Sequence, residues 1–177
     1  ALQHNPSLSI GDYGAYSGLK TISLKGLGSA QTAIYIDGIR VNNLQSGQSD
    51  LALIGTELFD SVIIDHAQNS LSFVTTRPVF QKNKYAGKVN IATGSFGTYT
   101  TSARMDFKLS DSMAITLNAA GLLSDGDFPY GEDKTRINND IKQIRTGVDL
   151  FGIMKGGDYH VKAYFSDAER GTPGSIY

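Results

Sequence analysis

Tyr99-Thr100-Thr101-Ser102-Ala103-Arg104-Met105-Asp106-Phe107-Lys108-Leu109 is the stretch that decides how this chain is read. Tyr99, Thr101, Ala103, Met105, Phe107 and Leu109 are apolar or weakly polar. Thr100, Ser102, Arg104, Asp106 and Lys108 between them are polar, and three carry charge. Side chains of a strand alternate between its two faces, so one face is greasy and the other charged. The same alternation recurs in the neighbouring segments. Met113, Ile115, Leu117 and Ala119 stand against Thr116, Asn118 and Ala120. Ile144, Thr146, Val148 and Leu150 stand against Arg145 and Asp149, and Tyr159, Val161, Ala163 and Phe165 against His160, Lys162 and Ser166. With a first strand containing Val89 and Ile91, turned by Gly94-Ser95-Phe96-Gly97, this predicts five strands.

A strand crosses the hydrocarbon core in ~9–11 residues when tilted by about 45°. The predicted connections are tight at Ser110-Asp111 and at Gly156-Gly157, and long over residues 124–142. Short turns on one side and longer loops on the other fit an outer-membrane barrel. A soluble β-sandwich also alternates. It explains less well why Arg104 shares a face with Asp106, and Arg145 with Asp149, an arrangement that suits a wet lumen.

Composition narrows the alternatives. The 177 residues carry 16 basic and 17 acidic side chains, a net charge of −1, which gives no electrostatic case for nucleic acid. Twenty glycines and 10% aromatic residues suit a turn-rich β protein. Cysteine is absent, which removes disulfides and thiolate metal sites. No apolar run approaches ~18 residues, so no transmembrane helix is expected. The first residues lack a basic, then apolar, leader pattern, and any leader is expected to have been removed.

A boundary is expected around residues 82–88, giving a first module at 1–81 and a strand-rich second one at 86–177. In the first module, Ile34 and Ile36 precede Asp37-Gly38 and Ile39 and Val41 follow, a strong hairpin signal. Ile22-Ser23-Leu24-Lys25 reads as a short strand. Residues 50–59 read as a short helix or turn with Leu51, Leu53, Ile54 and Leu58 inward. Val62-Ile63-Ile64 and Leu71-Ser72-Phe73-Val74 read as buried strands, completing a small α+β module.

Three segments, in order, carry a family resemblance: Leu2-Gln3-His4-Asn5-Pro6-Ser7-Leu8-Ser9-Ile10, Ile22-Ser23-Leu24-Lys25-Gly26-Leu27-Gly28-Ser29 and Ile34-Tyr35-Ile36-Asp37-Gly38-Ile39-Arg40-Val41-Asn42. They resemble the plug domain of TonB-dependent outer-membrane receptors. Gly94-Ser95-Phe96-Gly97-Thr98-Tyr99 and Glu169-Arg170-Gly171-Thr172-Pro173-Gly174 are similar to vitamin B12 receptors of Bacteroides-like Gram-negative bacteria. The resemblance implies an α+β plug followed by the first antiparallel strands of a transmembrane β-barrel of about 22 strands. Five strands cannot close such a barrel, and an open edge in lipid leaves backbone groups unpaired. The chain is therefore expected to be a fragment. Three departures from the family pattern stand out: Lys25 in place of arginine, Asp65-His66-Ala67 in place of Arg-Gly-Pro, and no glycine-rich stretch after Asn69-Ser70.

The resemblance also implies function: nutrient uptake across the cell outer membrane, with the plug facing periplasm and lumen and no bond made or broken. The implied partners are the TonB-ExbB-ExbD complex, reached through a segment outside this chain, a nutrient ligand, a surface lipoprotein and outer-membrane lipid. The expected ligand is cobalamin. The alternatives are a siderophore or glycan receptor of the same family, or a passive or structural barrel protein.

Candidate ligand contacts lie in two polar, glycine-containing loops: Tyr13, Tyr16 and Ser17 in one, Asn43, Gln45, Ser46 and Gln48 in the other. They offer aromatic faces and amide and hydroxyl groups to a polar organic molecule. Their lack of basic side chains argues against a ligand that needs arginine clamping. Asp37-Gly38 is read first as a turn former. Asp125 and Asp127 are weak candidates for Ca²⁺, in a loop whose spacing does not match a calcium loop. Gly26-Leu27-Gly28 lacks the rest of a nucleotide-binding fingerprint. His4, His66 and His160 lack metal-ligand spacing, and no catalytic constellation is visible, so no enzyme is expected.

Overall fold

A computed structural model describes residues 8–12, 20–43, 47, 49–130 and 134–172. It divides into two compact units, Ala1–Thr76 and Arg77–Tyr177, with residues 77–81 in the second. Among the described residues no α-helix occurs. The described residues include two 3-10 turns, Ser29–Gln31 and Thr56–Leu58.

The first unit holds two small sheets. Strands β1 (Leu8–Asp12) and β2 (Lys20–Leu24) pair antiparallel, with Leu8 opposite Leu24 and Ile10 opposite Ile22. The second sheet contains β3 (Ala33–Ile36), β4 (Ile39–Arg40), β5 (Ser61–Asp65) and β6 (Ser70–Val74) in the order β4-β3-β6-β5. Strands β3 and β6 run parallel, and the other pairs are antiparallel. The Asp37-Gly38 turn forms as predicted, with both residues at positive φ, 47° and 83°.

One face of this sheet is apolar in every strand: Ile34 lies beside Leu71 and Ile64, and Ile36 beside Phe73 and Val62. Leu24, Ile34, Leu71 and Phe73 are essentially sealed, and the Phe59 ring meets the Phe73 ring at 5.3 Å. Two expected core positions are exposed. Ile63, between Val62 and Ile64, must point to the opposite face, where it pairs with Ser72 and is 54% exposed. A run of three apolar residues cannot all face one side of a strand. Leu53 is 41% exposed, because residues 51–54 take the turn, of the two expected forms, and the turn leaves Leu53 outside the packing.

The second unit is one antiparallel sheet of β7 (Tyr85–Gly94), β8 (Thr98–Lys108), β9 (Met113–Ser124), β12 (Ile141–Met154) and β13 (Gly157–Arg170), in the order β13-β12-β9-β8-β7. Two short strands, β10 (Pro129–Tyr130) and β11 (Lys134–Thr135), form a hairpin inside the long connection. The first long strand begins at Tyr85, ahead of the expected Val89. The five long strands have 10 to 14 residues each, enough for a tilted crossing.

The register places Ile91 beside Thr101, Met105 beside Leu117, Leu117 beside Val148, and Val148 beside Ala163. The alternating apolar residues of separate strands thus merge into one continuous face. That face is open: Val89, Leu117, Val148 and Val161 are all exposed. The polar face is the closed one, with Thr116, Asn118, Gln143 and Asp149 buried. On the apolar face, Tyr85 pairs with Phe107 at the end where the β8–β9 and β12–β13 turns lie, and Tyr159 is at that end too. Tyr99 lies toward the other end, eight positions from Phe107, ~26 Å along the strand. Outer-membrane barrels carry aromatic girdles flanking an apolar band ~25 Å tall.

At Gly152, a Cβ would sit 2.0 Å from the Cζ of its cross-strand partner Tyr159. The ring lies over the bare glycine, shielding its backbone.

Candidate functional site

Of the predicted ligand contacts, Tyr13, Tyr16, Ser17, Gln45, Ser46 and Gln48 lie outside the described residues. Asn43 is described, is exposed, and accepts a backbone hydrogen bond from Gly47 at 2.8 Å. The base of this loop is fixed by its neighbour Asn42. The Asn42 Oδ1 accepts from the Ile34 N–H at 2.8 Å and from Arg40 Nε at 3.2 Å. Its Nδ2 donates to the Thr32 carbonyl at 3.0 Å and to the Gly47 carbonyl at 2.8 Å. Every strong donor and acceptor of this amide is engaged inside the first unit. Asn42, which ends the third of the resembling segments, thus fastens the loop to β3.

Asp50 has a similar role. Its Oδ1 accepts from the N–H groups of Lys20 and Ala52, tying the start of β2 to the turn that follows the loop.

Asp37 is more than a turn former. Its Oδ1 accepts from the Thr75 N–H at 2.6 Å and its Oδ2 from the Thr75 hydroxyl at 3.0 Å. Lys25, also at positive φ, donates from Nζ to the His66 carbonyl at 2.8 Å. A lysine suffices for that single carbonyl, since no bidentate fork is needed.

The polar face of the second unit carries a ladder of charges. Arg104 Nε meets Asp106 Oδ1 at 3.0 Å, and Asp106 Oδ1 also accepts from the Thr116 hydroxyl at 2.6 Å. In register with Thr116 on the next strand is Asp149, whose side chain is sealed from solvent. Its carboxylate accepts from Lys162 Nζ at 2.6 Å and pairs with His160 Nε2 at 2.8 Å. The His160 ring stacks on Phe151 at 4.4 Å. The sequence put Arg145 and Asp149 on one face, which holds. Arg145 instead donates to Gln143 at 3.2 Å, and the cross-strand register makes Lys162 the partner of Asp149.

At the long-connection end, Asp125 and Asp127 are both exposed. Among the described residues, neither belongs to a group of three or more metal-ligating side chains. Asp125 closes the loop: its N–H donates to the Phe96 carbonyl at 3.1 Å, and its carboxylate lies where a Gly97 Cβ would be. Phe96 and Phe128 meet edge to face at 6.0 Å. The long connection is thereby folded onto the β7–β8 turn, which is tight although it shares that end. Loop length therefore does not sort cleanly by side.

At the opposite end, Lys108 Nζ contacts Asp111 Oδ1 at 2.6 Å. The hydrogen bond and the charge of Lys108 hold the Asp111 carboxyl below the ordinary aspartate value. Arg77 donates to the Asp111 carbonyl at 3.1 Å. A shallow hollow of about 390 Å³ there is lined by residues including Val79, Phe80, Met113 and Ile153.

Comparison with known proteins follows this division. Residues 1–76 match the family model of the TonB-dependent Receptor Plug Domain. No curated protein matches the chain. Among solved structures, the siderophore receptor PirA from Pseudomonas aeruginosa is similar over 93% of this chain and 41% of that chain, at 14% identity and a TM-score of 0.37. The chain thus spans well under half the length of that structure. The plug-domain match thus covers the first unit, and the five long antiparallel strands after it form an open sheet and not a closed barrel.

Proposed function

We propose that this chain is the plug and first barrel strands of an outer-membrane receptor that imports a scarce nutrient with energy delivered through TonB. One observation supports the second half of this reading above all others: the sheet's apolar face is exposed while Thr116, Asn118, Gln143 and Asp149 on its polar face are buried. In water that arrangement is costly, since burying charge and exposing apolar area both oppose folding. Against acyl chains it is the stable one. The plug match supports the first half.

Under this reading the chain performs recognition and gating, not catalysis. Residues 42–49, fastened by Asn42, and the loop containing Tyr13, Tyr16 and Ser17 are the proposed ligand surface. Cobalamin is the proposed ligand, on the similarity of residues 94–99 and 169–174 to vitamin B12 receptors. The TonB-ExbB-ExbD complex is the proposed energy source, and a surface lipoprotein the proposed capture partner.

The test is capture of TonB by the detergent-solubilised receptor containing this chain, with and without cyanocobalamin. Enhanced capture, lost on Asn43→Ala with Gln45→Ala, supports the reading. Binding of cyanocobalamin without any TonB capture overturns the energised mechanism, and no cyanocobalamin binding overturns the ligand.

A further inference from the structure

The last strand of the first unit ends in a construction that occurs twice. Asp37 donates its N–H to the Phe73 carbonyl at 2.9 Å, and its carboxylate takes both the N–H and the hydroxyl of Thr75. Asp60 donates its N–H to the Val74 carbonyl at 2.9 Å, and its Oδ2 takes the N–H of Thr76 at 2.7 Å and its hydroxyl at 3.0 Å. Asp37 follows β3 and Asp60 precedes β5, the two strands that flank β6. Each aspartate therefore extends its ladder past the end of β6 by one rung made of a side chain. Hydrogen bonds to an ionised carboxylate are stronger than the amide–amide bonds they continue. Asp37 holds its place at φ 47°, a region that costs an ordinary residue energy. Asparagine or glycine would fit the turn equally well. The carboxylate is what only aspartate supplies with so short a reach.

The topology gives this clamp a direction. Strands β3 and β6 are parallel neighbours; the chain enters the sheet at Ala33 and leaves it past Val74. Tension between the unit's two ends pulls β3 and β6 in opposite directions along their common axis. All their hydrogen bonds, and the Asp37–Thr75 clamp, then bear the load together. The β1–β2 ladder is arranged otherwise. Leu8, where load enters, is the partner of Leu24, where it leaves. Such a pair opens one rung at a time, each rung carrying the load alone.

We infer that Asp37 and Asp60, through Thr75 and Thr76, are positioning residues that lock the end of β6 and make the four-stranded sheet the load-bearing part of this unit, with β1–β2 the part that yields first. The clamp would then set how far an applied pull can open the plug. That consequence rests on the uptake reading; the mechanical order does not.

The test is single-molecule pulling on the membrane-embedded receptor containing this chain, through a handle fused ahead of residue 1. Forced opening reports the unfolding barrier. The expected trace has a weak first step of about 60 Å, the length of the extended chain from Leu8 to Leu24, and then a stronger step. Thr75→Val and Asp37→Asn should lower the second force toward the first, Thr76→Val should lower it less, and Thr56→Val should leave it unchanged. An unaltered second force in the Thr75 and Asp37 variants, or a first step that already consumes β3, overturns the inference. Hydrogen exchange on the unmodified receptor gives a check that no folding defect can obscure: the Thr75 and Thr76 amides should be protected like those of β6, and fast exchange at both overturns the clamp. Because the handle replaces TonB, failure of TonB capture and failure of the clamp are separate results.

Discussion

The two sheets of this chain bury opposite kinds of side chain. In the four-stranded sheet, Ile34, Leu71 and Phe73 are sealed at 2%, 0% and 1% exposure. In the five-stranded sheet, Thr116 and Asp149 are at 0%, while Val89, Ile91 and Val161 stand more than half exposed. Strand alternation is common to both, so it does not explain the difference. The explanation lies in the solvent each outer face is built for. The first sheet hides its apolar side chains as a water-soluble module does. The second leaves them exposed, as the proposed outer-membrane reading requires, and pairs Asp149 with Lys162 and Arg104 with Asp106 on the other side.

The contrast can be broken by substitution. The largest expected effect is at Phe73, which packs on Phe59: Phe73→Ala should cost about 3–5 kcal/mol, in the range for a buried aromatic side chain. Protection of β3, β5 and β6 amides against hydrogen exchange would measure it, and an unchanged pattern would show that this face is not a core. Next is Met105→Arg, on the open face of the second sheet, at about 2–4 kcal/mol near mid-bilayer. Ser102→Arg, on the opposite face of the same strand, should cost far less. Urea unfolding of the lipid-reconstituted receptor compares the two, and equal costs would erase the assigned faces.

Asn42→Ala should cost about 1–3 kcal/mol, since buried partners lose their hydrogen bonds. It should also loosen the 42–49 loop, which exchange at the Ile34 and Gly47 amides would reveal. The smallest effect is electrostatic. Lys108→Met should return the Asp111 carboxyl upward toward its ordinary value, read by carbon NMR titration. Because folding lowers this carboxyl, the pair's contribution is present above the ordinary aspartate range and is lost as pH falls through the lowered value. The side chain is fully open to water, so the contribution is slight and screened by salt.

Much of the second sheet was legible because its period is two and its strands are long. One misplaced residue would have put Leu117 or Val148 on the charged face, and the register put both on the apolar one. The first unit was harder to read. Its strands are four or five residues or shorter, so Val62-Ile63-Ile64 gave no face, and Leu53 looked like an inward position. The Asp-Gly signal found the turn but not its partners. Nothing near Asp37 in sequence points to Thr75, which lies 38 positions away.

The amino-acid sequence by itself determined the alternation of the long strands, the Asp37-Gly38 turn and the likeness of residues 1–76 to the plug family. These are local or cumulative signals, set by φ/ψ preference and by which side chains tolerate which neighbours. Tertiary structure alone decided that β3 runs parallel to β6, that Asp149 pairs with Lys162 in preference to Arg145, and that two aspartates grip consecutive threonines. The last two are choices among several equally polar partners, and only the strand order and register bring one of them within hydrogen-bond reach.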